Sequence, residues 1–162
     1  MSRASKSGLA ADIERKLEHQ YDATEARGTP DAVRMWILAT LGEKSDVVKN
    51  DFKSIAAYLK DGTVLCRFIN VLLKSDGKAP VGFQKKCASP FVAMTNIENF
   101  NKGATDYGLG KEALFQTTDL YESRKGPFLN VINCLHSLGS LANGKDFEVK
   151  YTGVDEPTLD RD

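Results

Sequence analysis

The chain has 162 residues, 41% hydrophobic and 27% charged, which suits one ordinary globular domain with tails. Lys plus Arg and Asp plus Glu each number 22, so the formal net charge is zero and gives no field that would favour nucleic acid or an anionic lipid surface. Residues 142–162 hold three basic and six acidic residues, against 19 and 16 in the rest, so a slightly basic body carries an acidic tail.

Arg3 and Lys6 precede no apolar run, so neither a secretory leader nor a membrane anchor is expected and the predicted compartment is the cytoplasm. Cys66 and Cys134 lie in apolar helical patterns and Cys87 in a polar loop, an odd, scattered set unlike a disulfide framework.

No repeat and no strand-like alternation occur, and the predicted fold class is all-α. Residues 9–20 place Leu9, Ile13, Lys16 and Leu17 at helical spacing. Thr29-Pro30 reads as an N-cap followed by proline at the first helical position, opening a helix with Val33, Trp36, Ile37 and Leu41 on one face and Gly42 at its end. Asp51–Leu59 aligns Phe52, Ile55, Ala56 and Leu59. A helix over about 61–74 follows, with Asp61 as a cap and Gly62 where the backbone turns tightly against a neighbour. Its residues 64, 65, 66, 68, 69, 71, 72 and 73 are apolar, too many for one stripe, which predicts a central helix buried all round.

Ser75-Asp76-Gly77-Lys78-Ala79-Pro80 closes that helix with a turn. Ser89-Pro90 opens the next, with Phe91, Met94, Ile97, Phe100, Ala104 and Tyr107 directed inward, and Gly108 and Gly110 stop it. Leu114, Phe115, Leu120 and Tyr121 occupy a short turn. Gly126-Pro127 starts the last helix, whose buried side carries Phe128, Val131, Ile132, Leu135 and Leu138. From Asn143 onward apolar residues are sparse, so residues 142–162 are expected to be extended or disordered. Deleting Val149–Asp162 is then expected to leave the helical circular-dichroism signal and the melting temperature nearly unchanged.

Leu59-Lys60-Asp61-Gly62-Thr63-Val64-Leu65-Cys66, with the apolar run Phe68-Ile69-Asn70-Val71-Leu72-Leu73, resembles the centre of a calponin-homology domain. The Trp36 helix resembles that family's first main helix. Phe91–Phe100 with Tyr107-Gly108 resembles its third. Phe115-Gln116-Thr117-Thr118-Asp119-Leu120-Tyr121-Glu122 resembles the Phe-Gln-x-x-Asp-Leu-Phe/Tyr-Glu stretch before its last. The chain is similar in this way to calponin and transgelin relatives over roughly residues 30–141. The resemblance implies four main helices plus shorter connecting ones, with residues 1–28 as a partly helical N-terminal extension, 29–141 as the domain and 142–162 as the tail. The apolar patterns above place Trp36, Leu65, Phe68, Ile69, Phe91, Phe100, Leu120 and Leu135 in the core.

For function, the resemblance implies a non-enzymatic cytoskeletal protein that binds filamentous actin and cross-links or stabilises it. The alternative is an adaptor that docks other cytoskeletal or signalling proteins and reaches actin only through them. Relatives often contact actin through a short repeat rich in Gly, Gln, Met and Ala-Ser, and residues 143–162 contain none.

The adjacent basic pairs outside the N-terminal region, Lys85-Lys86 and Arg124-Lys125, are the candidate partner surface, with Arg34 on the outer face of its helix as a second position. Cys87 beside the first pair is weighed as a redox-sensitive thiol. His19 and His136 lack Cys, Asp or Glu at metal-ligand spacing and read as ordinary helix residues. Gly108-Leu109-Gly110-Lys111-Glu112-Ala113 fits a loose phosphate-loop pattern, but it follows a helix rather than a strand, so capping explains its glycines. Asp119 and Glu122 read as capping and solvating residues. No catalytic residue, metal or cofactor is expected.

Overall fold

The computed structural model describes residues 8–153. Among the described residues there are seven α-helices and no strand: α1 (Leu9–Ala26), α2 (Thr29–Leu41), α3 (Phe52–Leu59), α4 (Thr63–Ser75), α5 (Pro90–Tyr107), α6 (Thr117–Tyr121) and α7 (Lys125–Gly144). Single 3-10 turns lie at Ser45–Val47 and Lys111–Ala113.

Most helix ends follow from their local chemistry. Asp51 caps α3 by accepting from the Ser54 amide at 3.1 Å, and Ser89 caps α5 through the Val92 amide at 3.2 Å. The α2 cap differs from expectation: Gly28 occupies the cap position and Thr29 is the first helical residue.

α4 packs against α2, α3 and α5 and buries Val64, Leu65, Cys66, Phe68, Ile69, Leu72 and Leu73. It is not apolar all round. Arg67 and Lys74 are exposed and Asn70 and Val71 half-buried, so a polar stripe survives on one side.

Trp36, Leu65, Phe68, Ile69, Phe100, Leu120 and Leu135 are buried as predicted, but Phe91 is not: it is 78% exposed. The reason is helical phase. Phe91 precedes the buried Phe100 by nine residues, about two and a half turns at 3.6 residues per turn, which puts it on the opposite side of α5. α1 departs similarly, since Leu9 and Ile13 are exposed while Tyr21 is fully buried against the rings of Phe52 and Phe128, at 5.7 and 6.1 Å between centroids.

Beyond α7 the chain folds back. Asp146, with φ of 62°, turns it, and residues 147–153 lie as a strap against α2 and α7. Tyr151 is 2% exposed and packs its ring on Trp36 and His136, both at 5.4 Å between centroids, with its Oη 2.7 Å from His136 Nδ1. Asn143 clamps the Tyr151 backbone twice, its Nδ2 donating to the carbonyl at 2.8 Å and its Oδ1 accepting from the amide at 2.9 Å. Trp36 Nε1 donates to the Val149 carbonyl at 2.8 Å. Gly139 leaves room for the Tyr151 ring, which a Cβ at 139 would strike.

The expectation that residues 149–153 can be removed without cost is therefore corrected, because two aromatic contacts and three backbone hydrogen bonds would go with them. The same expectation for residues 154–162 lies outside the described residues. Asn143→Ala, which leaves the Tyr151 backbone unpaired, is expected to cost about 1–3 kcal/mol. Urea titration followed by circular dichroism measures it, and an unchanged midpoint would mean that the clamp does not hold the strap.

Candidate functional site

The segment between α4 and α5 has no regular structure, so its backbone polar groups need other partners. Asn70 on α4 donates from Nδ2 to the Val81 carbonyl at 3.1 Å and accepts from the Val81 amide at 2.8 Å. Asn96 on α5, 1% exposed, donates to the Gln84 carbonyl at 3.0 Å and accepts from the Gln84 amide at 3.0 Å. A side-chain amide carries donor and acceptor side by side, so each asparagine serves these residues as a neighbouring strand would.

Asn96 also donates to the Asp61 carbonyl at 3.1 Å, which joins this loop to the turn before α4. Gly62 makes that approach possible. Its φ is 80°, and a Cβ there would lie 2.7 Å from Asn96 Cβ and 2.9 Å from the Ile97 nitrogen. Gly62 rather than Asp61 holds the cap position of α4, but Asp61 Oδ1, one residue earlier, accepts from both the amide and the hydroxyl of Thr63, at 2.9 and 2.7 Å, and so satisfies a free amide of the first turn.

The loop held in this way carries Lys85 and Lys86. Both are exposed, and neither has an ion-pair partner among the described residues. Phe91 follows on the first turn of α5, its ring in solvent. Alongside, Lys60, Asp61, Cys87, Pro90, Ala93 and Tyr121 line an open cleft of about 380 Å³, with Lys60 Nζ 4.8 Å over the Tyr121 ring. The half-buried Cys87 thiol donates to the Ser89 carbonyl at 3.6 Å.

The other candidate cations are engaged within the fold. Arg124 pairs with Glu14 at 3.4 Å and Glu122 at 3.0 Å. Lys125 bonds Asp22 at 2.8 Å, and that bond holds its ammonium above the ordinary lysine range. Together they fasten the start of α7 to α1. Arg34 is 10% exposed at its side chain; it binds Asp31 at 2.7 Å and the carbonyls of Val48, at 2.7 Å, and Ser45. It pins the turn after α2 and does not stand free on an outer face.

Sequence reasoning missed Phe91 as a surface group, although the nine-residue spacing to Phe100 was available to reveal it. It could not see the two asparagine clamps, since nothing local marks Asn70 or Asn96 as facing a loop distant in sequence.

Several of the other groups singled out in the sequence have structural roles. Burial pushes the thiols of Cys66 and Cys134 up to about 12, so both stay protonated. Asp119 Oδ2 accepts from the Gln116 amide at 2.9 Å in a capping box on α6. Gly108 ends α5. Among the described residues no cluster of three or more His, Cys, Asp or Glu could hold a metal ion, and no helix is long and apolar enough to cross a membrane.

The calponin homology (CH) domain model matches residues 29–144. The chain belongs to the calponin-homology family. A transgelin from Saccharomyces cerevisiae is 33% identical over 143 residues, a match covering 83% of this chain and 66% of the relative. Two solved calponin-homology domains from Schizosaccharomyces pombe share the fold. That of an IQGAP protein superposes with a TM-score of 0.64 at 21% identity, covering 90% of this chain and 84% of the other. That of RNG2 gives 0.60 at 24% identity, covering 83% and 79%. The described calponin-homology domain is thus all-helical and calponin- and transgelin-like, of a cytoskeleton-associated, generally non-enzymatic family, and the chain spans about 66% of the length of the curated relative it matches.

Proposed function

We propose that this domain binds actin filaments directly, through the loop bearing Lys85 and Lys86 together with Phe91. The observation that carries the reading is the contrast between the basic pairs. Lys85 and Lys86 are exposed and unpaired among the described residues, beside a solvent-facing aromatic ring, whereas Arg124, Lys125 and Arg34 serve the fold. Two ammonium groups at the edge of a contact steer a negatively charged partner into place, and an aromatic ring at its centre supplies apolar area. The asparagine clamps reduce the loop entropy lost on binding, because its backbone is already ordered.

A single such contact has no avidity to draw on, so the affinity of this domain by itself is expected to be weak. It should fall with salt, since exposed charges are screened beyond about 8 Å at physiological ionic strength. In co-sedimentation with purified filaments, wild-type protein should pellet at low salt. K85E/K86E and Phe91→Ala should each lose about tenfold or more in affinity with melting temperatures unaltered, as surface changes shift stability little. R124E/K125E should instead lower the melting temperature, by breaking the α1–α7 ties. Wild-type protein left in the supernatant at low salt would favour the adaptor reading, and pelleting that survives K85E/K86E would place the filament contact elsewhere.

A further inference from the structure

Residues 147–153 sit on the fold as a peptide sits on a receptor. Phe147, Val149 and Tyr151 are buried or half-buried while Glu148, Lys150 and Thr152 are exposed, the period-two alternation of an extended segment. The groove that receives them belongs to α2 and α7. Trp36 Nε1 holds the Val149 carbonyl and Asn143 holds both backbone groups of Tyr151. The Tyr151 ring fills the space that Gly139 leaves open beside the indole. Backbone hydrogen bonds combined with pockets for alternate side chains are the means by which proteins bind strand-like peptides. None of these contacts requires the segment to come from the same chain.

The covalent link between groove and strap is short. Lys145 still belongs to the helical body: its amide donates to the Leu141 carbonyl at 3.0 Å, and its ammonium binds Asp76 at 2.7 Å and the Tyr107 carbonyl. Phe147 already belongs to the strap, its ring buried and its amide on the Ala142 carbonyl at 3.0 Å. The reversal is therefore made at Asp146, whose φ of 62° lies in the left-handed region. Glycine enters that region freely and other residues at a cost, aspartate less than most. A short hinge under strain invites the open form, in which a terminal segment leaves its own body and docks on a neighbour.

We propose that the strap exchanges between two copies of this chain, giving a two-fold dimer in which Tyr151 of each copy fills the groove beside Trp36 and Gly139 of the other. The dimer keeps every contact between strap and groove and releases both left-handed hinges. Opposing it is the effective concentration of a tethered segment, about millimolar for a short link. Lys145 and Phe147 are two residues apart, about 7 Å when extended, so the two-fold axis passes beside Asp146.

The exchange stands apart from the filament-binding reading, because no residue that holds the strap lies in the Lys85–Lys86 loop. Its consequence rests on that reading. A dimer carries two such loops and can tie two filaments together, which one contact cannot.

The test is sedimentation equilibrium of the full chain and its hinge variants, each unfolded and refolded at high concentration. Asp146→Pro excludes the left-handed φ and removes the amide that donates to the Asn143 carbonyl at 3.0 Å, so it should lower the dimer dissociation constant about tenfold or more. Asp146→Gly relieves the hinge within the monomer and should raise that constant several-fold. Lys150→Gln, which removes only the exposed ion pair with Asp146, should leave it unaltered. In dimers refolded from labelled and unlabelled chains together, isotope-filtered NMR should show the Tyr151 ring against Trp36 of the other chain. D146P that stays monomeric at about 1 mM, the effective concentration the exchange has to match, would overturn the proposal. A dimer whose Tyr151–Trp36 contact stays within one chain would overturn it too. With filaments, K85E/K86E should dimerise as wild type does and fail to pellet, whereas D146G should pellet at high speed and bundle less at low speed, so the two readings fail separately.

Discussion

Trp36→Ala is expected to remove about 3–5 kcal/mol, a large share of the roughly 5–15 kcal/mol available to a domain of this size. The indole is 2% exposed and stands where α2, α4 and the C-terminal strap meet, edge-on to Phe68 at 4.8 Å between centroids and tilted against Tyr151 at 5.4 Å. Truncation opens a cavity bounded by three separate elements, none of which can close it alone. It also leaves the Val149 carbonyl without the donor that holds it at 2.8 Å. Trp36→Phe retains an aromatic ring but loses that donor, so it should fall between wild type and alanine. Urea titration followed by helical circular dichroism decides the matter, and an alanine variant with an unaltered midpoint would mean the ring is not part of the core.

The same indole shows how far the sequence could be read. Helical spacing around Val33, Trp36 and Ile37 was enough to place the ring inside, because an amphipathic helix declares its buried face in its own residues. The strap that completes its environment left no such trace. Phe147 and Tyr151 are isolated aromatics in a polar, net acidic stretch, and an extended segment held by Asn143 and Trp36 depends on partners far away in sequence. Tyr21 was hidden for a related reason: it lies beyond the stretch over which Leu9, Ile13 and Leu17 suggested a face.

At the candidate site, charge was legible and engagement was not. Lys85, Lys86, Arg124 and Lys125 look alike as adjacent basic pairs. They separate only once α1 brings Glu14 and Asp22 beside the start of α7.

Gly62→Ala is the second substitution expected to act strongly, and its effect should travel. An alanine forced into the left-handed region costs about 1–2 kcal/mol. Its Cβ would also lie 2.7 Å from Asn96 Cβ and 2.9 Å from the Ile97 nitrogen, so α4 and α5 must separate, which adds about 1–3 kcal/mol by the usual cost of overpacking. Together these make a loss of about 2–5 kcal/mol. Gly77→Ala isolates the first cost, since φ there is 71° and nothing lies within 4 Å of the added methyl group. Gly77→Ala should therefore lose only the backbone share, and equal losses for the two variants would show that the close approach of α4 and α5 contributes nothing. Because Asn96 carries both bonds to Gln84, its displacement should also speed hydrogen exchange at the Gln84 amide while the Val81 amide, held by Asn70, stays protected. That local loosening is expected to weaken filament binding in Gly62→Ala through the higher entropy of the Lys85–Lys86 loop, an effect Gly77→Ala should lack even though it too is destabilised.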